Sequence, residues 1–111
     1  MELTTNLLKR CALVTVKGRI DSSTAPKLQE ALGKIIENEK FKIVVDMEEV
    51  DFISSAGLWV MVGAQKNCKR FNRGQVFLAG VSKRVQGAFD LAGFMPYFKF
   101  FKTATEAVGN F

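Results

Sequence analysis

The sequence predicts an α/β fold in a single domain spanning residues 1–111, with a mixed sheet of about five strands and about four α-helices in the order β-β-α-β-α-β-α-β-α. Three observations carry this. Segments with apolar residues at helical spacing alternate with short β-branched runs, the pattern of parallel strands joined by right-handed crossovers. Two partly alternating segments precede the first helix with only Lys9-Arg10 between them, which predicts an antiparallel pair at the start. The 111 residues, 48% hydrophobic and 24% charged, suit one domain with a proper core.

Taken in order, Leu7, Leu8, Leu13, Val14 and Val16 mark strands at about 3–9 and 11–17, followed by a loop over 18–24. Leu28, Ala31, Leu32, Ile35 and Ile36 recur at helical spacing to about Asn38, with Pro26 in the first turn and Ser22, Ser23 or Thr24 available as a cap. Lys42-Ile-Val-Val-Asp46 has the composition of a strand buried on both faces. A turn over 47–55 leads into a helix whose stripe is Leu58, Met61, Val62, Gln65 and Cys68, ending at Lys69-Arg70. After Gly74, residues 75–79 form another apolar strand. Ser82 can cap a third helix carrying Val85, Ala88, Phe89 and Ala92, closed by Gly93. Residues 98–102 make an edge strand with its lysines, and Thr103-Ala-Thr-Glu106 opens a short terminal helix as a capping box.

Composition narrows function. The chain has no histidine, which removes the commonest general base, the usual catalytic triads and the commonest transition-metal ligand. No catalytic residue, metal site or cofactor is expected. Cys11 and Cys68 match no zinc or redox spacing and read as buried, reduced thiols. With neither a signal peptide nor an apolar run of the roughly 20 residues that span a bilayer, the expected location is cytoplasmic, with no membrane partner. The net charge of +5 is uneven: residues 1–65 sum to −1 and residues 66–111 to +6. The basic residues come in scattered pairs without a nucleic-acid motif, so a solvated basic face is expected and no direct nucleic-acid partner.

The stretch Asp46-Met-Glu-Glu-Val-Asp-Phe-Ile-Ser-Ser-Ala-Gly-Leu-Trp-Val-Met-Val62 crosses from strand to helix through Ser54 and Ser55. A serine there serves as an N-cap, or holds a phosphate where exposed N–H groups and the helix dipole favour an anion. In α/β folds the loops after strand C-termini gather at one sheet edge and form the functional surface. Loop 18–24 and turn 47–55 both follow strands.

Together, Gly18-Arg-Ile-Asp21, Thr24-Ala-Pro26, Val44-Val-Asp46, Val50-Asp-Phe-Ile-Ser-Ser-Ala-Gly-Leu58 and Gly80-Val-Ser82 resemble the STAS domains of bacterial anti-sigma factor antagonists, in order and across essentially the whole chain. The resemblance implies that Ser55 is phosphorylated by a partner anti-sigma factor acting as a serine kinase that uses ATP. It further implies that the unphosphorylated protein binds that partner and frees a sigma factor, and that a metal-dependent serine phosphatase resets the switch. The protein would be a phosphoacceptor and binding module, not an enzyme, and a monomer or weak dimer. The position before the acceptor, often aspartate in that family, is Ser54 here, which leaves Ser54 as the second candidate. A stand-alone subunit of a larger signalling complex or of a lipid transporter, without an active phospho-switch, is the alternative.

Five further positions carry expectations. Asp21 either supports the kinase complex or caps the first helix. Asp46 fixes the turn by backbone hydrogen bonds and supports the site. Gly57, at a cost of about 1 kcal/mol relative to alanine in a helix, implies a close approach by a neighbouring loop or a partner. Trp59 points away from the buried stripe, as an interface anchor or packed under a loop. Ser82 joins Asp21, Ser54, Gly57 and Trp59 in the expected partner-binding set. The phenylalanines at 89, 94, 98, 100 and 101 are assigned to core and edge packing.

Overall fold

The computed structural model describes all 111 residues. Strands β1 (Glu2–Leu7), β2 (Ala12–Ile20), β3 (Lys42–Ile53), β4 (Gln75–Ala79) and β5 (Lys99–Phe101) lie in one sheet in the order β1-β2-β3-β4-β5. The first pair is antiparallel and the rest are parallel. Helices α1 (Ala25–Glu37), α2 (Ser55–Lys69) and α3 (Lys83–Leu91) are the crossovers, and α4 (Ala104–Gly109) follows β5. The predicted element order is the observed one.

Because each crossover moves one strand in the same direction and keeps the same hand, α1, α2 and α3 fall on a single face. The larger core lies there, built from alternate residues of the strands, such as Val14, Val16, Ile43, Val45, Val76 and Leu78, against Leu28, Leu32, Met61, Val62, Val85 and Phe89. The opposite face is covered only by α4, through Ala107 against Val44, Phe77, Ala79 and Cys11. Val44 and Val45 are both fully buried, as a strand covered on both faces requires. The two cysteines belong to opposite faces of the sheet, so they cannot pair. Burial pushes the Cys68 thiol up to about 11 and the Cys11 thiol above its ordinary value, so both stay protonated.

Two expected boundaries move. The sequence reading ended the central strand at Asp46 and made 47–55 a turn, whereas β3 continues to Ile53. Its buried residues Met47, Val50 and Ile53 are spaced by three, which no regular strand can place on one face. The register shows how the chain solves this. Thr15 pairs with Asp46 but Lys17 with Glu49, and Gly18 pairs with Val50 but Arg19 with Phe52. Each step inserts an extra residue in β3, and the two bulges turn all three apolar side chains inward. β2 likewise runs past its expected end at 17 to Ile20, with Gly18 at φ +96°. Smaller differences are β1 over 2–7 and β5 over 99–101.

One buried polar residue ties helix to sheet. β5 is short, and Val76 in β4 has no strand partner on that side. Gln65, only 3% exposed, fills the gap. Its Oε1 accepts from the Val76 N–H at 2.6 Å, and its Nε2 donates to the Val76 carbonyl at 3.2 Å and to the Tyr97 carbonyl at 2.6 Å. The side-chain amide stands in for a peptide group of a missing strand. Gln65→Leu would leave the Val76 pair buried without partners, and should lower stability by about 2–4 kcal/mol in urea unfolding. A loss under about 1 kcal/mol would mean that the bridge contributes only packing.

Candidate functional site

The parallel strands β2 and β3 end together, Ile20 beside Ile53, which brings residues 21–24 and 54–55 to one edge of the sheet. β4 stops opposite Asp46, so residues 80–82 lie further back along β3, beside Glu48. The link between the first two is direct: the Ser54 N–H donates to the Ile20 carbonyl at 2.8 Å. Gly80, at φ +66°, holds the third loop against Glu48, where an added Cβ would lie 3.0 Å from the Glu48 Cβ.

The two serines separate cleanly. Ser54 alone connects β3 to α2, with extended backbone angles of φ −89° and ψ 173°. It is the N-cap: its Oγ accepts from the Gly57 N–H at 3.4 Å and its carbonyl from the Leu58 N–H at 3.0 Å. Ser55 is the first helical residue, exposed, with its hydroxyl free of any hydrogen bond in the protein. The N–H groups of Ser55 and Ala56 have no acceptor within the helix. No acidic residue occupies the first turn, so nothing there opposes an anion.

Gly57 explains why α2 can start so abruptly. A Cβ at this position would stand 2.6 Å from Ile20 Cγ2 and 2.8 Å from Ile53 Cγ1. The close approach expected at Gly57 is therefore made by the ends of β2 and β3, a third source beside the loop or partner foreseen. Asp21 organises its own loop. Its Oδ1 accepts from the Ser23 N–H (3.0 Å), the Ser23 hydroxyl (2.7 Å) and the Thr24 N–H (3.1 Å). The Ser23 hydroxyl bond foremost, with the backbone bonds behind it, holds the Asp21 carboxyl below its ordinary value. Thr24 occupies the cap position of α1 but sends its hydroxyl to the Arg19 carbonyl instead, at 2.9 Å.

Ser82 caps α3, accepting from the Val85 N–H at 3.2 Å, and is exposed. Trp59 is 61% exposed and meets Phe94 edge to face at 5.2 Å. It also borders a shallow cleft of about 280 Å³ with Ser22, Pro26, Gln29, Ala56 and Val60, so it is both an open surface and a packed one. Asp46 lies in mid-β3, where its Oδ1 accepts from the Glu48 N–H at 3.1 Å. It braces the first bulge, not the serine junction. Arg19 is a member the sequence reading passed over. Its guanidinium lies 4.2 Å over the Phe52 ring and 3.8 Å from the Asp21 carboxylate, a placement signalled by its position two residues before Asp21 on a strand. The other phenylalanines pack as expected, with Phe89 against Phe98 and Phe100 on one face and Phe101 against Phe77 on the other.

Nothing in this arrangement activates a nucleophile. The Ser55 hydroxyl has no base in contact, and no three Cys, Asp or Glu side chains converge as a metal cage. What the edge offers is an accessible hydroxyl on an anion-tolerant helix start, framed by an ordered acidic loop and an aromatic cleft.

Among known proteins, the STAS domain family matches residues 2–107. The anti-sigma-B factor antagonist of Listeria monocytogenes is 33% identical over 97 residues, covering 87% of this chain and 84% of its own. A crystal structure of an anti-sigma factor antagonist from Mycobacterium paratuberculosis superposes with a TM-score of 0.88 at 22% identity, covering 98% and 92% of the two chains. SpoIIAA, an anti-sigma factor antagonist, superposes in its unphosphorylated form with a TM-score of 0.84 at 17% identity, covering 98% of this chain and 95% of its own. Its phosphorylated form, described as a Bacillus cell fate determinant, gives 0.77 at 17% identity with 98% of each chain covered.

Two measurements test the geometry of the edge. Gly57→Ala should cost about 1–3 kcal/mol in urea unfolding, because the added methyl meets branched side chains that cannot swing away. The largest amide shift changes should fall at Ser54 and Ser55, and an undisturbed junction would contradict the seating described. Asp21, with its folded value depressed, contributes stability above the ordinary 3.8 and loses it as pH falls through the lower folded value. An NMR carboxyl titration should find its midpoint below 3.8, and Ser23→Ala should raise that midpoint. An unmoved midpoint would assign the shift to something other than the Ser23 bonds.

Proposed function

The chain belongs to the STAS domain family, and from that membership we propose that it is an anti-sigma factor antagonist controlled by phosphorylation at Ser55. In the unphosphorylated state it binds an anti-sigma factor that is also a serine kinase, and so releases a sigma factor. Phosphorylation ends the association, and a metal-dependent phosphatase restores it. The chain is a phosphoacceptor and a regulatory partner working in the cytoplasm. Catalysis belongs to the kinase.

The observation that carries this reading is the division of labour between adjacent serines. The Ser54 hydroxyl is held as the cap of α2, whereas the Ser55 hydroxyl is exposed and unbonded at the helix start. A phosphate on Ser55 would bring about −1.5 to −2 charges to N–H groups that lack acceptors. The fold therefore tolerates the modification. The partner does not: a surface packed against this edge would have to desolvate a dianion, with Glu48, Glu49 and Asp51 exposed on the strand leading into it. The switch acts at the interface and leaves the core alone. Asp21, Gly57, Trp59 and Ser82 take part in different ways. Trp59 offers an aromatic anchor, the loop of Asp21 frames the surface, Ser82 extends it back along β3 beside Glu48, and Gly57 sets the height of the serines. The names of the Listeria relative and of the two SpoIIAA forms support this assignment.

Incubation with the cognate kinase and ATP should add one phosphate, mapped to Ser55 by mass spectrometry. Ser55→Ala should abolish the gain. Ser54→Ala should retain it while lowering stability by about 1 kcal/mol through loss of the cap. Ser55→Asp should lose the kinase in a pulldown, and retention of the phosphate gain by Ser55→Ala would defeat the proposal.

A further inference from the structure

Opposite the serine edge, three connections bring together cations that the sequence scatters in pairs. Lys9 and Arg10 form the β1–β2 turn, Lys40 and Lys42 flank Phe41 between α1 and β3, and Lys69, Arg70 and Arg73 surround the exit from α2. All seven are exposed. They form one surface: a shallow depression of about 290 Å³ is shared by the first two connections and Arg73. The Arg73 guanidinium lies 3.8 Å over the Phe41 ring and 5.6 Å from the Phe71 ring. None of these cations has a side-chain carboxylate partner, since the three ion pairs of the protein join Lys17 to Glu49, Arg19 to Asp21 and Lys34 to Glu30. Arg10 alone donates to a main-chain oxygen across the pole, that of Phe111 at 3.5 Å. Glu39 is the one acidic side chain in the depression.

Exposed apolar side chains sit among them. Of the six large hydrophobic residues that the fold leaves exposed, Leu7, Leu8 and Phe71 lie at this pole, the last at 81% exposure. Phe71 is also held with φ +57°, a left-handed backbone rare for an aromatic residue. Arg73 secures that turn by donating to the Arg70 and Asn67 carbonyls at 3.0 and 3.2 Å. A structured turn thus presents an aromatic ring to solvent between unpaired arginines.

We propose that this pole docks on an anionic membrane surface. The two kinds of side chain select that partner. A phosphodiester backbone would satisfy the cations but offers nothing to Leu7 and Leu8. With Phe41 covered by Arg73, only the single ring of Phe71 is free, short of the successive rings on which bases stack. A bilayer interface supplies anionic headgroups for the lysines and arginines and an acyl boundary for the leucines and Phe71. The association is peripheral, because no helix is long and apolar enough to cross a membrane. It departs from the expectation of no membrane partner, which rested on cations dispersed along the chain. Folding brings them together. The inference is independent of the phospho-switch, and it would leave the serine edge facing away from the bilayer.

The test is co-sedimentation with phosphatidylcholine vesicles, with and without phosphatidylserine, across a salt series. Binding should require phosphatidylserine and weaken as salt rises. Lys9→Gln/Lys40→Gln/Arg70→Gln should lose about a hundredfold in affinity, at about 1 kcal/mol for each cation near an anionic surface. Lys27→Gln/Arg84→Gln/Lys102→Gln, with the same charge change elsewhere, should bind like the wild type. Leu8→Ser/Phe71→Ser should bind roughly tenfold more weakly at equal charge. Circular dichroism checks that each variant is folded. Equal loss in both charge variants, binding without phosphatidylserine, or no binding to either vesicle would overturn the proposal. So would tighter binding to duplex DNA or to polyglutamate at the same salt with no dependence on Leu8 and Phe71.

Discussion

A methyl group at position 57 would stand 2.6 Å from Ile20 and 2.8 Å from Ile53, and its absence lets the first turn of α2 rest directly on the ends of two strands. Other features of the serine edge depend on that contact. With the helix seated so low, a single residue can join β3 to α2, and that residue must also cap the helix. Ser54 does both while its N–H bonds across to Ile20. The next hydroxyl is then left with no structural task. The freedom of Ser55 thus follows from a packing constraint two residues away, and the intrinsic helix cost of glycine, about 1 kcal/mol, is the cost of that seating.

The seating also needs Ile53 and Ile20 to arrive together, and the bulges of β3 arrange this. A regular strand would carry Met47, Val50 and Ile53 to alternating faces, leaving at least one apolar side chain in water. Two inserted residues keep all three inside and leave Glu48, Glu49 and Asp51 outside. The carboxylates near the edge are therefore by-products of a register that the core demands. On the far side of α2, Gln65 fastens the same helix to β4, so both ends of the site-bearing helix are fixed to the sheet by different chemistry.

How much of this could be read in the sequence depends on the range of the interaction responsible. Helices α1 and α3, strand β4 and the antiparallel start are written in local periodicity and turn chemistry, and they appear where expected. The extension of β3 was illegible because its apolar spacing of three matches neither strand nor helix. Only the partner strand, with its own glycine at 18, shows that bulges reconcile it. Gly57 signalled a close neighbour but not which one, since Ile20 lies far away in sequence. The choice between the serines lay beyond local reading for the same reason: both are good caps, and the bond from Ser54 to Ile20 separates them. The basic pole was hidden most fully, because its members come from three loops.

Residues 1 and 111 lie toward opposite ends of the sheet. Met1 packs beside Gly18, which pairs with Val50 in the bulged part of β3 near the serine edge, whereas the Phe111 carbonyl lies 3.5 Å from Arg10 at the basic pole. A reporter protein joined to one end would therefore crowd a different surface from the same reporter joined to the other. A reporter at residue 1 sits beside Gly18 on the approach to the serine edge, and one at residue 111 sits beside Arg10. A pair of such fusions would separate the two surfaces in a living cell without altering a single residue of the domain.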